Sequence, residues 1–595
     1  MKRILLLAIT AIIVMGVQAQ RVTDKLDRGL VAVPAQGGSG FLVSWRVLGE
    51  EYYDVTYNLY RNGTRIASGL TASNYTDTGG STSASYTVSA VVRGVERQQS
   101  SAVTAWGTNY KEIKMNHGTL KSTYVPNDAC CADVDGDGQV EILMKYDNQS
   151  ESSNYMQKNG YYGEHSLFEV LKLDGTVLWR VNCGPNMGDF QNNEQNIVGY
   201  DWDQDGRAEV LMRLEEGSTI YMADGTTYTI GSDGKNGTSW TNYREPRYVS
   251  SSGATVAMAF NLSSSATATC AASWATAKIE NGVLYVTAAA NTSTTATRST
   301  TVTVTDGGKS ASYTFGQLYS GQTSTEWFTH YGKEFLVYCN GLTGEPYQVI
   351  DFPLKRLESG ETDLSKAWGD GYGHRSSKFF FGAPYLDGRK PSIFLARGIY
   401  TRHKMIAYDV DPATHQLVTR WTWNNNSSNS PYYGQGYHNY AIADVDWDGR
   451  DEICFGSMVI DDNGKGLSTT GLGHGDAQHH SDFDPYTHGH EIFACNEDKP
   501  ANNYRDATTS KIRYRLTGSN DDGRCMAGNF CNDYPGAMAF SAHDTPISCV
   551  TSDHLSGLVK SGVTDNFRIY WDGDLCEETF NYSNGKNTAG GIYKY

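Results

Sequence analysis

Asp133-Val-Asp135-Gly-Asp137-Gly-Gln-Val-Glu141, Asp201-Trp-Asp203-Gln-Asp205-Gly-Arg-Ala-Glu209 and Asp444-Val-Asp446-Trp-Asp448-Gly-Arg-Asp-Glu452 repeat one spacing three times. Each carries carboxylates at positions 1, 3, 5 and 9, and glycine at position 6. Hard oxygen ligands at that density suit Ca²⁺, and the glycine permits a sharp backbone turn around the ion. An EF-hand would require a bidentate Glu at position 12, where this chain has Met144, Met212 and Phe455. Position 9 instead opens an apolar run, as in Glu141-Ile-Leu-Met and Glu209-Val-Leu-Met. Three copies at one spacing argue against chance acidic surface turns. The expectation is a repeated β unit whose turns are pinned by several Ca²⁺ ions. Its ligands would be Asp133, Asp135, Asp137, Glu141, Asp201, Asp203, Asp205, Glu209, Asp444, Asp446, Asp448 and Glu452.

The rest of the chain fits an all-β reading. Short alternating runs broken by Gly, Asn and Asp dominate, with 63 glycines and 39 tyrosines, and long helical periodicity is lacking. Residues 20–108 read as an N-terminal β-sandwich, with Phe41-Leu-Val-Ser-Trp45, Tyr57-Asn-Leu-Tyr60 and Ser85-Tyr-Thr-Val-Ser-Ala-Val-Val92 as strands. From 109 the acidic loops alternate with turns such as Leu173-Asp174-Gly175, which suggests a propeller with blades of about 40–50 residues. Residues 247–316 are rich in Ser, Thr and Ala, and alternate as in Val283-Leu-Tyr-Val-Thr287. They read as a small β-sandwich inserted between propeller parts 109–246 and 317–595.

Lys2 and Arg3 precede an apolar run from Ile4 to Met15, and Val17-Gln18-Ala19 resembles a small-residue cleavage site. Residues 1–19 therefore read as a signal peptide, placing the mature chain in the periplasm or outside the cell. No later segment is long and apolar enough to span a bilayer. The formal net charge of -17 argues against nucleic acid as a partner. The three loops hold 12 of the 66 acidic residues, so metal loading would change that balance. The 11 cysteines are odd in number and lack a CxxC pair, and adjacent Cys130 and Cys131 are expected on opposite faces of a strand.

Several motifs resemble bacterial rhamnogalacturonan lyases of polysaccharide lyase family 11. They are Leu26-Asp27-Arg28-Gly29, Val43-Ser44-Trp45-Arg46, Asn127-Asp128-Ala129, Trp368-Gly-Asp-Gly-Tyr-Gly-His374-Arg375, Gly434-Gln-Gly-Tyr-His438-Asn439, Gly473-His474-Gly475-Asp476-Ala477 and Tyr570-Trp571-Asp572-Gly573-Asp574. The insert resembles a Bacteroidetes-associated carbohydrate-binding module. The resemblance implies an eight-bladed, calcium-loaded β-propeller behind a fibronectin type III-like sandwich. It also implies a monomer acting on the pectic polysaccharide rhamnogalacturonan I by β-elimination, leaving unsaturated galacturonate ends.

By the same resemblance, His438, His474 and Asp476, with Glu497, are expected to bind or support a metal near the cleft. Arg524, His438 and His474 are the expected catalytic residues. Asn148 is expected to contact substrate, and the cationic cluster His374, Arg375, Arg402 and His403 is expected either to line the same groove or to hold structure by hydrogen bonds. For Arg524 the residues leave two roles open: a bidentate grip on a galacturonate carboxylate, or an ion pair with Asp521 or Asp522. His479, His480, His488 and His490 fit no metal motif and are assigned to loop structure. The chain departs from the family at Gly528–Gly536, which lacks the full acidic pattern. It also ends at Tyr595, where family members continue with further strands, so the last blade is expected to be incomplete. The rival reading is a calcium-dependent pectin-binding propeller without catalysis. A glycoside hydrolase ranks low, since no carboxylate pair stands apart from the acidic loops.

Overall fold

A computed structural model of the chain describes all residues except 1–20, 50, 52–53, 115–123, 149–165, 184–196, 216, 231–246, 250, 254, 260–261, 321–333, 362–363, 370–373, 556–566, 572–573, 582–590 and 595. The expected signal peptide lies outside the described residues. Within them, strands dominate, and helix is confined to Leu364–Trp368 and a 3-10 turn at Arg375–Ser377.

Residues 31–104 form two antiparallel sheets that share one core. Val31–Pro34, Phe41–Ser44 and Asn74–Asp77 make the smaller sheet. Thr64–Leu70, Val55–Arg61, Ser85–Val92 and Val95–Glu96 make the larger, with Val103–Thr104 beside Ser85–Val92. Alternation decides which side chains enter: Phe41 and Val43 are buried, and meet Tyr57, Leu59, Tyr86 and Val88 from the other sheet. The Leu26–Gly29 motif now has a physical account. Asp27 caps Gly29 N–H at 2.7 Å, Arg28 pairs with Glu51, and Asp27 N–H donates to Gly138 O at 2.7 Å. The lead-in segment is thereby fastened to the first acidic loop.

Between residues 124 and 593, excluding the insert, seven antiparallel sheets succeed one another among the described residues. The acidic loops join first to second strands, with the same closing register each time: Ala132 opposite Glu141, Tyr200 opposite Glu209, and Ala443 opposite Glu452. Their position-6 glycines all have positive φ (Gly138 88°, Gly206 93°, Gly449 92°). At Gly138 a Cβ would lie 2.9 Å from Asp27 N, so close approach as well as conformation excludes a side chain. Second strands such as Glu209–Glu215 and Ile393–Arg397 are buried along their whole length, whereas outer strands such as Gln416–Asn425 are largely exposed or half-buried. The acidic hairpins therefore end the most enclosed strands of the molecule.

Strands Arg247–Val249 to Lys309–Gln317 form a separate two-sheet module around Val256, Leu284, Val286, Val302, Val304 and Phe315. Its first strand pairs in parallel with its last, which brings its two ends together. The strands flanking it, Glu209–Glu215 and Glu334–Asn340, are hydrogen-bonded neighbours in one sheet. The module is thus spliced into a sheet, and the intervening Thr219–Tyr221 and Thr227–Thr229 extend the preceding sheet instead. All 11 cysteines are free thiols. Cys131 is exposed while Cys130 is half-buried on the adjacent position of strand Tyr124–Ala132, as expected of neighbours on a pleat.

Candidate functional site

Two groups of titratable side chains lie at opposite ends of the sheets. At one end are the acidic hairpins. The closing glutamate of each accepts a backbone N–H from position 2: Val134 to Glu141 at 2.9 Å, Trp202 to Glu209 at 3.0 Å, and Val445 to Glu452 at 2.7 Å. Carboxylate oxygens of Asp133, Asp135 and Glu141 converge within 4.8 Å, as do those of Asp444, Asp446 and Glu452; in the second loop Asp201, Asp203, Asp205 and Glu209 all converge. Asp137 and Asp448, expected as equal ligands, stay outside those groups and cap Gln139 and Arg450 N–H.

Burial pushes Glu141 up to about 7, Glu452 to about 8 and Glu209 to about 9, and neighbouring aspartates add to it. Asp201 Oδ1, Asp444 Oδ1 and Glu452 Oε1 are buried without a hydrogen bond. Crowded, desolvated, unpaired oxygens are a poor arrangement for a protein alone and a good one for a hard dication. Three contributors escaped the sequence. Asp461 and Asp462, one hairpin further on, also converge on Glu452. Asp24, raised to about 6 by burial and then by Asp133, points a buried, unbonded Oδ1 into the same region.

At the other end lie the histidines. His438 and His474 precede first strands Ala441–Ala443 and Gln478–Ser481, each of which runs away toward a hairpin of the acidic type. His474 is 0% exposed. Its Nδ1 lies 2.6 Å from Gly436 O; a carbonyl only accepts, so Nδ1 carries the proton and Nε2 presents a lone pair. That Nε2 is buried, has no hydrogen bond, and lies 3.5 Å from Glu497 Oε2. His438 Nε2 lies 3.3 Å from Asp476 Oδ1, and the donor atoms of His438, His474 and Asp476 fall within 4.8 Å of one another. Burial drives His438 down to about 3 and lowers His474, so both are neutral at ordinary pH. Burial raises Asp476 and Glu497. Two imidazole lone pairs beside two carboxylates can hold a divalent metal.

The neighbours are cationic or aromatic. Tyr400, which the sequence did not single out, packs its ring at a 45° tilt 4.0 Å from that of His474 and brings its hydroxyl to 3.5 Å from His438 Nε2. Its φ of +66° is uncommon for a bulky residue and marks a backbone held in place by its surroundings. Arg375 lies over the Tyr400 ring and His374 stands 5.8 Å from it, lowered to about 4 by burial and then by nearby cations. Arg524 faces the cluster electrostatically, lowering Asp476 and His438. Of its alternative partners, Asp522 is occupied by Ser541, by His543 at 2.7 Å and by Asn502 at 3.4 Å.

Arg402 and His403, expected to contact substrate, are both buried, and His403 sits near enough to His474 to be lowered further by it. Arg402 is 1% exposed, bonded to both oxygens of Glu361 at 2.9 and 3.0 Å, and stacked over Trp368. His403 is fully buried against Phe455 and packs so tightly that a Cβ on Gly436 would lie 2.2 Å from its Nε2. Both side chains face into the sheet packing, away from solvent. The side chain of Asn148 lies outside the described residues. His479 and His480 sit in strand Gln478–Ser481 rather than a loop, while His488 and His490 pack against Trp447.

Residues 21–106 match the family "Rhamnogalacturonan I lyases beta-sheet domain", and residues 110–265 and 282–589 match "Rhamnogalacturonan lyase family 11, C-terminal domain". The rhamnogalacturonan endolyase YesW of Bacillus subtilis (strain 168) is 34% identical over 572 residues, covering 94% of this chain and 75% of its own. The exolyase YesX of the same organism is 32% identical over 584 residues, covering 95% and 78%. The crystal structure of YesX superposes with a TM-score of 0.71 at 30% identity, over 97% of this chain and 82% of that one. That of the Bacillus licheniformis rhamnogalacturonan lyase PL11 gives 0.68 at 29%, over 96% and 83%.

Proposed function

Because the chain belongs to rhamnogalacturonan lyase family 11, we propose that it cuts the rhamnose–galacturonate backbone of rhamnogalacturonan I by β-elimination at the His438–His474–Asp476 cluster. The chain is a polysaccharide lyase. The observation that supports this location is the buried, lone-pair-bearing Nε2 of His474, aimed at His438, Asp476 and Glu497. Elimination removes H5 of galacturonate, forms the C4=C5 bond and expels the oxygen at C4. H5 becomes acidic enough only if charge building up on the uronate is offset. Arg524 and Arg375 supply fixed positive charge beside the cluster, and the neutral imidazoles supply lone pairs where a metal or a proton must be held. A divalent ion bound by His438, His474, Asp476 and Glu497 would add Lewis-acid stabilisation next to the uronate carboxylate.

The acidic hairpins are read as structural calcium sites, supported by their all-oxygen donors and unpaired buried carboxylates. The successive sheets are read as blades of an eight-bladed propeller, supported by the repeated hairpin register. Lys2, Arg3 and the apolar run to Met15 support export of the chain. The test is incubation with rhamnogalacturonan I and calcium. Ultraviolet absorbance from a new C4=C5 bond is expected; new reducing ends without that absorbance would refute elimination.

A further inference from the structure

The strand pair Gln478–Ser481 and Glu491–Cys495 is joined by a fourth hairpin of the same design, which the sequence spacing hides because it is one residue longer. Glu491 closes it opposite Ser481, as Glu452 closes its own hairpin opposite Ala443. Phe483 and Asp484 N–H donate to Glu491 Oε2 at 3.0 and 3.1 Å, as Trp202 and Asp203 do to Glu209. Glu491 is as buried as Glu141, Glu209 and Glu452, and Asp484, taken as a whole residue, is more buried than the position-3 aspartates Asp135, Asp203 and Asp446. Yet this loop is not among the converging groups of metal-ligating side chains in the described residues. What it has instead is Arg513. Nη1 lies 3.2 Å from Asp484 Oδ2 and Nη2 lies 3.1 Å from Glu491 Oε1, so one guanidinium bridges the position-3 aspartate and the closing glutamate.

We infer that Arg513 is a built-in cation occupying the place that a divalent ion takes in the three acidic loops, and that removing its charge opens a fourth divalent-cation site. The sister loops differ at the decisive atom. Lys172 touches Asp135 and His415 touches Asp203, but each approaches a single aspartate, not the closing glutamate. The last hairpin has a related contact at another position: Trp571 N–H donates to Glu578 at 2.8 Å, and Lys594 lies 2.5 Å from the position-5 Asp574 and 3.3 Å from Glu578. Burial raises Glu491, but the Arg513 charge opposes the shift, as a bound ion would. A guanidinium suits this role because its planar fork reaches two carboxylates at once and stays charged at every working pH. Its guanidinium also lies over the Tyr504 ring, 5.8 Å from the centroid.

The inference rests on the calcium reading of the sister loops, and calcium counting separates the two. Wild type, Arg513→Lys, Arg513→Ala and Arg513→Met would be dialysed against calcium and the bound metal measured by mass spectrometry, with thermal unfolding in calcium and in chelator alongside. The Ala and Met variants should each bind one equivalent more than wild type, and their unfolding midpoints should rise with calcium more than wild type's. The lysine variant should match wild type. Met keeps an unbranched apolar side chain at this position, which guards against simple misfolding in Ala. An unchanged calcium count in both neutral variants overturns the inference. A wild type free of calcium refutes the sister-loop reading, while an extra equivalent in the variants would still sustain the role of Arg513.

Discussion

Replacing Glu209 with Gln should stabilise the metal-free protein and weaken its response to calcium. Glu209 is buried, accepts Trp202 N–H at 3.0 Å and Tyr338 O–H at 3.0 Å, and stands beside Asp201 and Asp203. Burial lifts it from an ordinary 4.5 to about 9. Below 4.5 the folded and unfolded chains both carry the proton, and the group is neutral to stability. As pH rises past 4.5 the unfolded chain releases the proton while the folded one keeps it, so stability falls until pH passes the folded value. At about pH 7.5 that is three units, each about 1.4 kcal/mol, or about 4 kcal/mol against the metal-free fold. Gln has nearly the shape of the protonated acid and carries no such penalty. Urea unfolding in chelator between about pH 5 and 8 should show wild-type stability falling by one proton more per chain than the variant's. In calcium the order should reverse, because the variant lacks a charged ligand. Identical pH slopes in chelator, or a variant less stable than wild type there at about pH 7.5, would refute the reasoning.

Other outcomes test the remaining assignments. Asp446→Ala should lower the unfolding midpoint in calcium but not in chelator, since Asp446 has value chiefly as a ligand converging with Asp444 and Glu452; equal loss in both buffers would contradict this. Arg524→Ala should reduce turnover on rhamnogalacturonan I by about 100-fold or more while leaving the circular dichroism spectrum unchanged, as expected for removal of a charge that stabilises the transition state. Arg402→Ala should do the converse: it removes a buried side chain packed on Trp368 and paired with a partly exposed Glu361, and costs about 1–3 kcal/mol of stability, yet the folded fraction should keep its turnover. Loss of activity without loss of stability in that variant would return Arg402 to the substrate groove.

The sequence reached the acidic loops and the histidine cluster by different routes. The loops were legible from residues alone, because carboxylates two apart and a glycine at position 6 encode a turn within nine residues. His438, His474, Asp476 and Glu497 came through motif resemblance, and the structure brings them together at one place. For Arg402 and His403 the residues left groove lining and structural bonding open, and only the fold shows both side chains turned inward. Tyr400 itself carried no signal in the sequence.

Spacing over a few residues therefore fixed the all-β character, the acidic-turn geometry and the presence of an insert, since each depends on backbone torsions and alternation that neighbours dictate. Pairing across long separations was decided only in three dimensions. The splice between Glu209–Glu215 and Glu334–Asn340, the convergence of Asp461 and Asp462 on Glu452, the reach of Asp24 toward Asp133, and the guanidinium of Arg513 between Asp484 and Glu491 all join distant parts of the chain. Coulomb attraction and burial act through space, and no periodicity along the chain records which distant charge will arrive beside a given carboxylate.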